Sequence, residues 1–280
     1  MGSARLADKV AFVTGGTSNI GLGIARRFLE EGAAVTVVGR DPGRCREATG
    51  ALAAAVPEGR VLGVSADVAD PTALEAALDA SERAHGPLDI LVCSAGVGVV
   101  QLVSRTTEED WQGILQTNLS GTWRAARLAM PRMSAHGGGS IITIGSDAAL
   151  NGERRLGAYS VSKAAVVMLT RMLALDGAPD RIRANCICPG FIVPGMRGFP
   201  DRMAGEPEGD TAAGIPLPPW GRHGTSADIA ASAVWLASDE ASFVTGIALP
   251  VEGGITAGIP EYGEDEWARA RAAGRTEEVG

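Results

Sequence analysis

The sequence is poor in the residues that build disulfides, metal centres and aromatic surfaces. Aromatic residues make up only 4% of the 280 residues, and the four cysteines are too few for a disulfide framework. Cys186 and Cys188 lie two residues apart on a predicted strand, and we expect separate core thiols on opposite faces. The three histidines lie far apart and match no zinc-ligand spacing. We therefore expect no metal site.

The sequence also lacks an excess of positive charge and a long apolar run. A net charge of −8 and a pI near 5.0 argue against nucleic-acid partners and anionic membrane surfaces. No unbroken apolar stretch reaches the ~18 residues of a membrane span. The N-terminus leads directly into a strand, without the apolar region of a signal peptide. These features predict a cytoplasmic protein.

Apolar strands alternate with helical segments from Lys9 to about Glu252. This alternation predicts an α/β fold with a single Rossmann-like, doubly wound parallel sheet of about seven strands. Most strands are continuous apolar runs, as expected where helices cover both faces of the sheet. The predicted strands are Val10–Thr14, Ala34–Gly39, Arg60–Ser65, Ile90–Cys93, Ser140–Gly145, Ile182–Cys188 and Ile247–Val251. The predicted helices are Ile20–Glu31, Gly43–Val56, Pro71–His85, Thr107–Ala135, Gly157–Asp176 and Thr225–Ser238.

Two regions interrupt this pattern. Phe191–Arg222 is rich in glycine and proline, which predicts a long lid loop (residues 191–222) inside a domain that spans residues 1–258. Residues 259–280 are polar and charged, and they form a C-terminal extension that either packs on a neighbouring subunit or frays.

Tyr159 and Lys163 are candidate proton-transfer residues. They lie four residues apart on a predicted helix, so both side chains share one face. A tyrosine with a pKa near ~10 is a poor base at neutral pH, and a nearby ammonium group favours its phenolate form. The pair could therefore donate and accept a proton, although the same spacing also occurs on ordinary exposed helices.

A glycine-rich turn follows the first strand, from Thr14 to Gly23. Glycines between a strand and a helix let the backbone approach a pyrophosphate, which the N-terminus of the helix attracts. The second strand ends in Gly39-Arg40, where an acidic residue would bind an adenosine ribose. Arg40 instead offers a cation suited to a 2′-phosphate, which favours NADP over NAD. Structural packing of the turn and a solvated surface arginine are the alternatives.

Together these features resemble the classical short-chain dehydrogenases/reductases over Lys9 to Gly254, almost the whole chain. The motifs of that family recur here in the same order and at the same spacings. They correspond to Gly15, Asn19 and Gly21 in the glycine turn, Asp67-Val68, Ser94-Ala95-Gly96, Asn118, Ser146, Tyr159 with Lys163, and Pro189-Gly190.

The sequence departs from the family pattern at four positions. Asn19 replaces a glycine, although asparagine tolerates left-handed backbone angles. Ser94 replaces an asparagine that braces the fourth strand, and Pro194 replaces a threonine near the nicotinamide. Glu252 stands where an aspartate is common.

The resemblance implies hydride transfer between a nicotinamide cofactor and a substrate carbon. Tyr159 would act as general acid and base, Lys163 would favour the phenolate and hold a ribose, and Ser146 would stabilise charge on the substrate oxygen. Asn118 would hold a water linked to Lys163, with a satisfied core amide as the alternative. The implied cofactor-binding residues are Gly15, Thr17, Ser18, Asn19, Ile20, Gly21, Arg40, Asp67, Val68, Ser94, Ala95, Gly96, Tyr159, Lys163, Pro189, Gly190 and Ile192.

The substrate pocket should lie over the carboxyl ends of the strands. Its predicted lining is largely apolar and points to a medium-sized carbonyl or alcohol of mixed polarity. Arg154 and Arg155 could recognise an acidic substrate group, or they could belong to a solvated loop. The predicted lining residues are Gln101, Leu150, Leu156, Phe191, Met196 and Phe199.

The resemblance therefore implies an NADP(H)-dependent ketoreductase that forms a homodimer or homotetramer. The first alternative is an NAD-dependent secondary-alcohol dehydrogenase. A catalytically silent dinucleotide sensor, an enoyl reductase and a cofactor-free lyase are less consistent with the sequence, because Ser146, Tyr159 and Lys163 are all present at short spacing.

Overall fold

A computed structural model describes residues 4–193, 195 and 217–258. Strands and helices alternate along these residues, as the sequence predicts. In chain order they are β1 (Val10–Thr14), α1 (Asn19–Glu30), β2 (Ala34–Gly39), α2 (Pro42–Ala55), β3 (Val61–Ser65), α3 (Pro71–His85), β4 (Ile90–Cys93), α4 (Glu108–Leu115), α5 (Gly121–Ala135), β5 (Gly139–Ile144), α6 (Gly157–Gly177), β6 (Ile182–Pro189), β7 (Ile192–Val193), β8 (Gly224–Thr225), α7 (Ser226–Ala237) and β9 (Ala248–Val251).

Seven strands form one sheet in the order β3-β2-β1-β4-β5-β6-β9. Every pairing in this sheet is parallel, and β7 pairs with β8 separately. The predicted doubly wound α/β fold is confirmed. The strand order reverses between β1 and β4, and ligands of such sheets bind beyond the carboxyl ends of the strands at this point.

The sheet is buried between two layers of helices. Side chains alternate along a strand, so neighbouring residues of β1 enter different cores. Val13 packs in a cluster with residues of α1 and α7, whereas Phe12 packs in a cluster with residues of α3, α5 and α6. This double burial explains the continuous apolar runs of the strands.

Helix α6 has two different faces. The segment Gly157–Asp180 is long and apolar enough to cross a membrane, by length and composition alone, and half of its window is buried inside the molecule. This qualifies the expectation that no segment reaches that length. The buried face packs on the sheet, and the outer face exposes large apolar side chains, joined by one from α5. These are Trp123, Val161, Met168, Met172 and Leu175.

The predicted helix Thr107–Ala135 is interrupted near its middle. A π-helical turn over Gln116–Ser120 separates α4 from α5 without breaking the path of the chain. The extra residue of such a turn redirects the side chains within it, and π-turns are frequent at functional sites. Asn118 lies in this turn and is 1% exposed.

Candidate active site

The turn after β1 is folded tightly against the loop that follows β4. Gly15 has a φ of +67°, and a Cβ built on it would lie 2.6 Å from the Ala95 nitrogen. Asn19 adopts a φ of +45°, so it tolerates the left-handed conformation as expected, and its side chain donates to the Gly195 carbonyl at 2.9 Å. The backbone therefore fills this turn and leaves no room for side chains at Gly15.

The N-terminus of α1 differs from those of α2 and α3. Asp41 and Asp70 cap α2 and α3 by accepting bonds from backbone N–H groups. Ser18, at the N-cap of α1, makes no side-chain cap bond, and the first turn of α1 contains no acidic residue. Backbone N–H groups and the positive end of the helix dipole are therefore available to an anion. This arrangement fits the pyrophosphate of a dinucleotide.

The end of β2 carries one cation and no carboxylate. A Cβ built on Gly39 would lie 2.8 Å from side-chain atoms of Thr17, so a larger residue does not fit without a shift. The side chain of Arg40 is 66% exposed, and its Nη1 lies 4.0 Å from Asp67 Oδ2. Val68 is buried against Gly121. Arg40 therefore lies where the adenosine ribose of a dinucleotide is expected, and Gly39 offers no side chain there.

Asn118 connects the π-helical turn to two other parts of the site. Its Oδ1 accepts from the Val97 N–H at 2.8 Å, while its Nδ2 donates to the Val97 carbonyl and to Ser162 Oγ, both at 2.9 Å. Ser162 in turn donates to the Tyr159 carbonyl at 2.7 Å. The amide thus ties the loop after β4 to α6. The water linked to Lys163 stays a prediction.

Ser94 and Gly96 also lie at this junction. The Ser94 N–H donates to the Thr14 carbonyl at 3.1 Å, which joins β4 to β1 through the backbone. A Cβ built on Gly96 would lie 3.5 Å from both Asn118 Oδ1 and Lys163 Nζ. Gly96, a predicted cofactor residue, therefore lies next to two of the predicted catalytic residues.

Ser146, Tyr159 and Lys163 meet at the carboxyl end of β5. Ser146 lies two residues after the end of β5, and the first turns of α6 carry the other two residues. Ser146 is 7% exposed, Tyr159 is 8% exposed and Lys163 is 5% exposed. Lys163 Nζ donates to the Ile144 carbonyl at 2.8 Å and lies 5.6 Å from the centroid of the Tyr159 ring. The Ser146 hydroxyl lies near the Tyr159 side chain and favours its phenolate form.

Burial dominates the protonation of this cluster. Loss of hydration raises the pKa of Tyr159 above its ordinary value; the Ser146 hydroxyl opposes this effect, and the negative charges of Asp147 and Glu153 add to it. Burial also lowers the pKa of Lys163 to about 8. Without ligands, Tyr159 is therefore a neutral acid, because loss of hydration outweighs the groups that favour its phenolate.

The segment from Pro189 to Ile192 lies beside the site, at the carboxyl end of β6. Pro189 closes β6, and a Cβ built on Gly190 would lie 2.8 Å from the side chain of Glu252. Ile192, in β7, is 8% exposed. These residues lie beside the carboxyl ends of β5 and β9, where the nicotinamide half of a dinucleotide is expected.

The expectation for the two neighbouring cysteines is wrong. Residues two apart on a strand share a face, and the Sγ atoms of Cys186 and Cys188 lie 3.9 Å apart. Both thiols are fully buried behind Gly145, where they would crowd a larger residue. Among the described residues no group of three or more metal-ligating side chains occurs.

The predicted substrate-pocket residues are only partly brought together. Gln101 forms an isolated parallel bridge with Leu156, which packs beside Tyr159. Leu150 is 39% exposed near Ser146, whereas Phe191 packs edge-on against the ring of His223. Met196 and Phe199 lie outside the described residues, as do Pro194, most of the predicted lid and the extension at 259–280.

A cavity of about 320 Å³ lies beside the site and not over it. Phe191, Ile192, Trp220 and residues 250–254 line this cavity, and none of the proton-transfer residues does so. We therefore place the chemistry at Ser146, where hydrogen-bonding groups converge, and not in this cavity.

Two carboxylates near Ser146 were missed by the sequence analysis. Asp147 is 8% exposed and accepts from Ser146 Oγ at 2.9 Å. The carboxyl of Glu153 lies within hydrogen-bonding reach of Asp147. Their position next to a candidate serine was the available signal. Both lie in the segment that also holds Leu150, Leu156, Arg154 and Arg155.

Three comparisons with known proteins agree with this geometry. A family model described as enoyl-(acyl carrier protein) reductase matches residues 15–256. An NADP-dependent (R)-specific alcohol dehydrogenase of Lentilactobacillus kefiri is 37% identical over 260 residues, which cover 90% of this chain and 98% of that protein. This chain belongs to the short-chain dehydrogenase/reductase family.

Other members of the short-chain dehydrogenase/reductase family show the same relation. The meso-2,3-butanediol dehydrogenase of Serratia marcescens is 34% identical over 254 residues, which cover 90% of this chain and 96% of that protein. A crystal structure of a short-chain type dehydrogenase/reductase from Mycobacterium marinum matches with a TM-score of 0.83 and 32% identity, covering 91% of this chain and 98% of that one. The protein is therefore an oxidoreductase of a family that uses NAD or NADP.

Proposed function

We propose that this protein interconverts a medium-sized ketone and the corresponding secondary alcohol with NADP(H). The observation that carries this proposal is the buried cluster of Ser146, Tyr159 and Lys163 beside Gly96. A bound nicotinamide would supply or accept the hydride. The protein must then supply only a proton, a hydrogen-bond donor for the substrate oxygen and a site that excludes water.

In this proposal Tyr159 protonates the oxygen of the reacting carbonyl. Its raised pKa keeps the proton on the phenol in the free protein, which suits a general acid in ketone reduction. Ser146 binds the same oxygen and stabilises the charge that develops there. Lys163 holds the ribose and offsets the phenolate charge after proton transfer, while Asn118 fixes the loop after β4 against α6.

The remaining predicted contacts belong to the dinucleotide. We propose that residues 15–21 bind the pyrophosphate, that Asp67 and Val68 contact the adenine, and that the backbone near Pro189, Gly190 and Ile192 contacts the nicotinamide. Arg40 favours NADP, and the absence of a Cβ at Gly39 supports this choice because no carboxylate stands there. The name of the relative from Lentilactobacillus kefiri points the same way.

The apolar stripe on α5 and α6 supports a homodimer or homotetramer. Met168 is 52% exposed and Leu175 is 69% exposed, although both belong to a helix that is otherwise packed in the core. Contiguous exposed apolar side chains mark association surfaces. We propose that a second copy of the chain covers this stripe.

Enoyl reduction is the second candidate, because the description of the matching family model names it. The four-residue spacing of Tyr159 and Lys163 favours carbonyl chemistry instead. The discriminating experiment offers acetoin, acetophenone and a crotonyl thioester to the protein with NADPH. We expect turnover of a ketone, with kcat reduced at least about 10²-fold in Tyr159→Phe, the lower end for a general acid.

Turnover of the crotonyl thioester alone would favour enoyl reduction. Ketone turnover that survives Tyr159→Phe would contradict the proposed role of the tyrosine. Glu109→Gln, an exposed change on α4, provides a control for protein quality and should leave activity unchanged.

A further inference from the structure

Asn19 reaches from the glycine turn to the chain beyond β7. It is the first residue of α1, and its side-chain Nδ2 donates to the Gly195 carbonyl at 2.9 Å. The two residues lie 176 positions apart in the sequence, so this bond joins two separate loops. A glycine, which the family pattern places here, has no side chain to make such a bond. The departure of Asn19 from that pattern therefore adds a contact.

The backbone of the turn does not require asparagine at this position. Asn19 has a φ of +45°, in the left-handed region that glycine adopts freely and that asparagine adopts at some conformational cost. Replacement by glycine would therefore relax the turn while removing the side chain. This separates the two roles of the residue, because any loss on replacement by glycine belongs to the side chain alone.

The glycine turn is a fixed support for this bond. Gly15 packs against the backbone of Ala95, and the Gly16 N–H donates to the Val38 carbonyl at 3.2 Å. A Cβ built on Gly21 would clash with the carbonyl of Gly15. Backbone contacts on several sides thus hold the turn in place. A side chain anchored in it can position whatever it binds.

The partner of Asn19 lies past the end of strand pairing in the other loop. β7 pairs with β8 through Ile192 and Val193, and Ile192 is 8% exposed. Residue 194 is a proline, which has no backbone N–H to donate. The bond from Asn19 therefore supports Gly195 just beyond the point where the pairing with β8 ends.

We infer that Asn19 is a positioning residue, which holds the loop beyond β7 against the glycine turn. The turn is the proposed site of the pyrophosphate, and the segment from Pro189 to Ile192 is the proposed contact of the nicotinamide. Asn19 therefore sets the spacing between the two halves of the dinucleotide site. This inference rests on the proposed function, which places a dinucleotide there. Asn19 acts through the loop and needs no contact with the cofactor.

The size of the effect follows from the position of the loop before binding. Loss of one neutral hydrogen bond of ordinary strength changes an equilibrium constant roughly twofold to tenfold. A ligand that requires one position of a loop binds more weakly by the factor by which that position is depopulated. Asn19→Gly should therefore weaken dinucleotide binding within this range, although glycine is the easier residue for the turn.

The experiment compares the wild type with Asn19→Gly and with a matched control, Arg181→Gly. Arg181 is an exposed residue with a φ of +57°, so glycine relaxes the backbone there as well. It precedes β6 and lies at the amino end of the sheet, away from the site. Fluorescence titration gives Kd for NADPH and NADH, and displacement of NADPH gives Kd for ADP-ribose. Hydrogen exchange of a peptide that covers β7 is followed by mass spectrometry without cofactor.

We expect Asn19→Gly to weaken NADPH and NADH binding by the same factor, about threefold to tenfold. Asn19 lies on the glycine turn and not at the 2′-phosphate, so the preference between the two cofactors should not change. ADP-ribose carries the pyrophosphate but no nicotinamide, and its Kd should stay within about twofold. The β7 peptide should exchange faster in Asn19→Gly, and Arg181→Gly should match the wild type in every measurement.

Unchanged dinucleotide binding and unchanged exchange in Asn19→Gly would overturn the positioning role and leave the proposed function standing. An equal loss of affinity for ADP-ribose and NADH would show that Asn19 acts on the phosphates directly, and it would also refute positioning through the loop. A wild-type protein that binds neither NADPH nor NADH would instead overturn the proposed function, and with it this role of Asn19.

Discussion

Replacement of Arg40 by alanine tests the choice between NADP and NAD. The Arg40 side chain is 66% exposed, and its nearest anionic partner, Asp67, is 4.0 Å away. A pair this open contributes little by itself, so a 2′-phosphate would meet a guanidinium that is free to turn towards it. The mutation should therefore change cofactor binding without changing stability.

The magnitude follows from the exposure of the guanidinium. A hydrogen bond to a charged group contributes about 1.5–3 kcal/mol. Solvent screening places Arg40 at the lower end, and about 1.4 kcal/mol corresponds to a tenfold change in Kd. We expect Arg40→Ala to weaken NADPH binding about tenfold while NADH binding stays within about twofold, because NADH lacks the phosphate.

Fluorescence titration of both cofactors measures these constants directly. Arg83→Ala removes an exposed arginine from the C-terminal end of α3, which lies at the amino ends of the strands, away from Arg40, and should change neither constant. The NADPH preference of the wild type should also fall as salt is raised, since salt screens exposed charges. Tighter binding of NADH that Arg40→Ala does not alter would refute the reasoning and direct the substrate search to NAD-linked alcohol oxidation.

Two further predictions concern stability and assembly. Asn118→Ala removes the amide that pairs with the partly buried N–H and carbonyl of Val97, so it should lower the free energy of unfolding by about 1–3 kcal/mol. Thermal unfolding should show this loss. Gln112→Ala, an exposed change on α4, should lower the free energy of unfolding by less than about 0.5 kcal/mol. Equal losses in the two variants would contradict the argument. Light scattering should give a dimer or tetramer for the wild type. The double variant Met168→Glu, Leu175→Glu should give a smaller species. A wild-type monomer would rule out the proposed interface.

The strands were predictable because a strand that is buried on both faces has a largely apolar sequence. β1, β2 and β4 have the predicted bounds, since each is a continuous apolar run ended by glycine or a polar residue. The glycine turn was predictable because its backbone angles require particular residues. The φ of +67° at Gly15 and of +45° at Asn19 are angles that few other residues tolerate.

Other features depend on contacts that local patterns do not encode. The π-helical turn at Asn118 is stabilised by bonds to Val97 and Ser162, which are distant in the sequence. The protonation of Tyr159 depends on how deeply α6 is buried. The spacing of the two residues predicted that Lys163 favours the phenolate, whereas the largest influence in the structure is loss of hydration, which raises the pKa of Tyr159. Spacing identifies which groups meet, but burial decides which protonation state they hold.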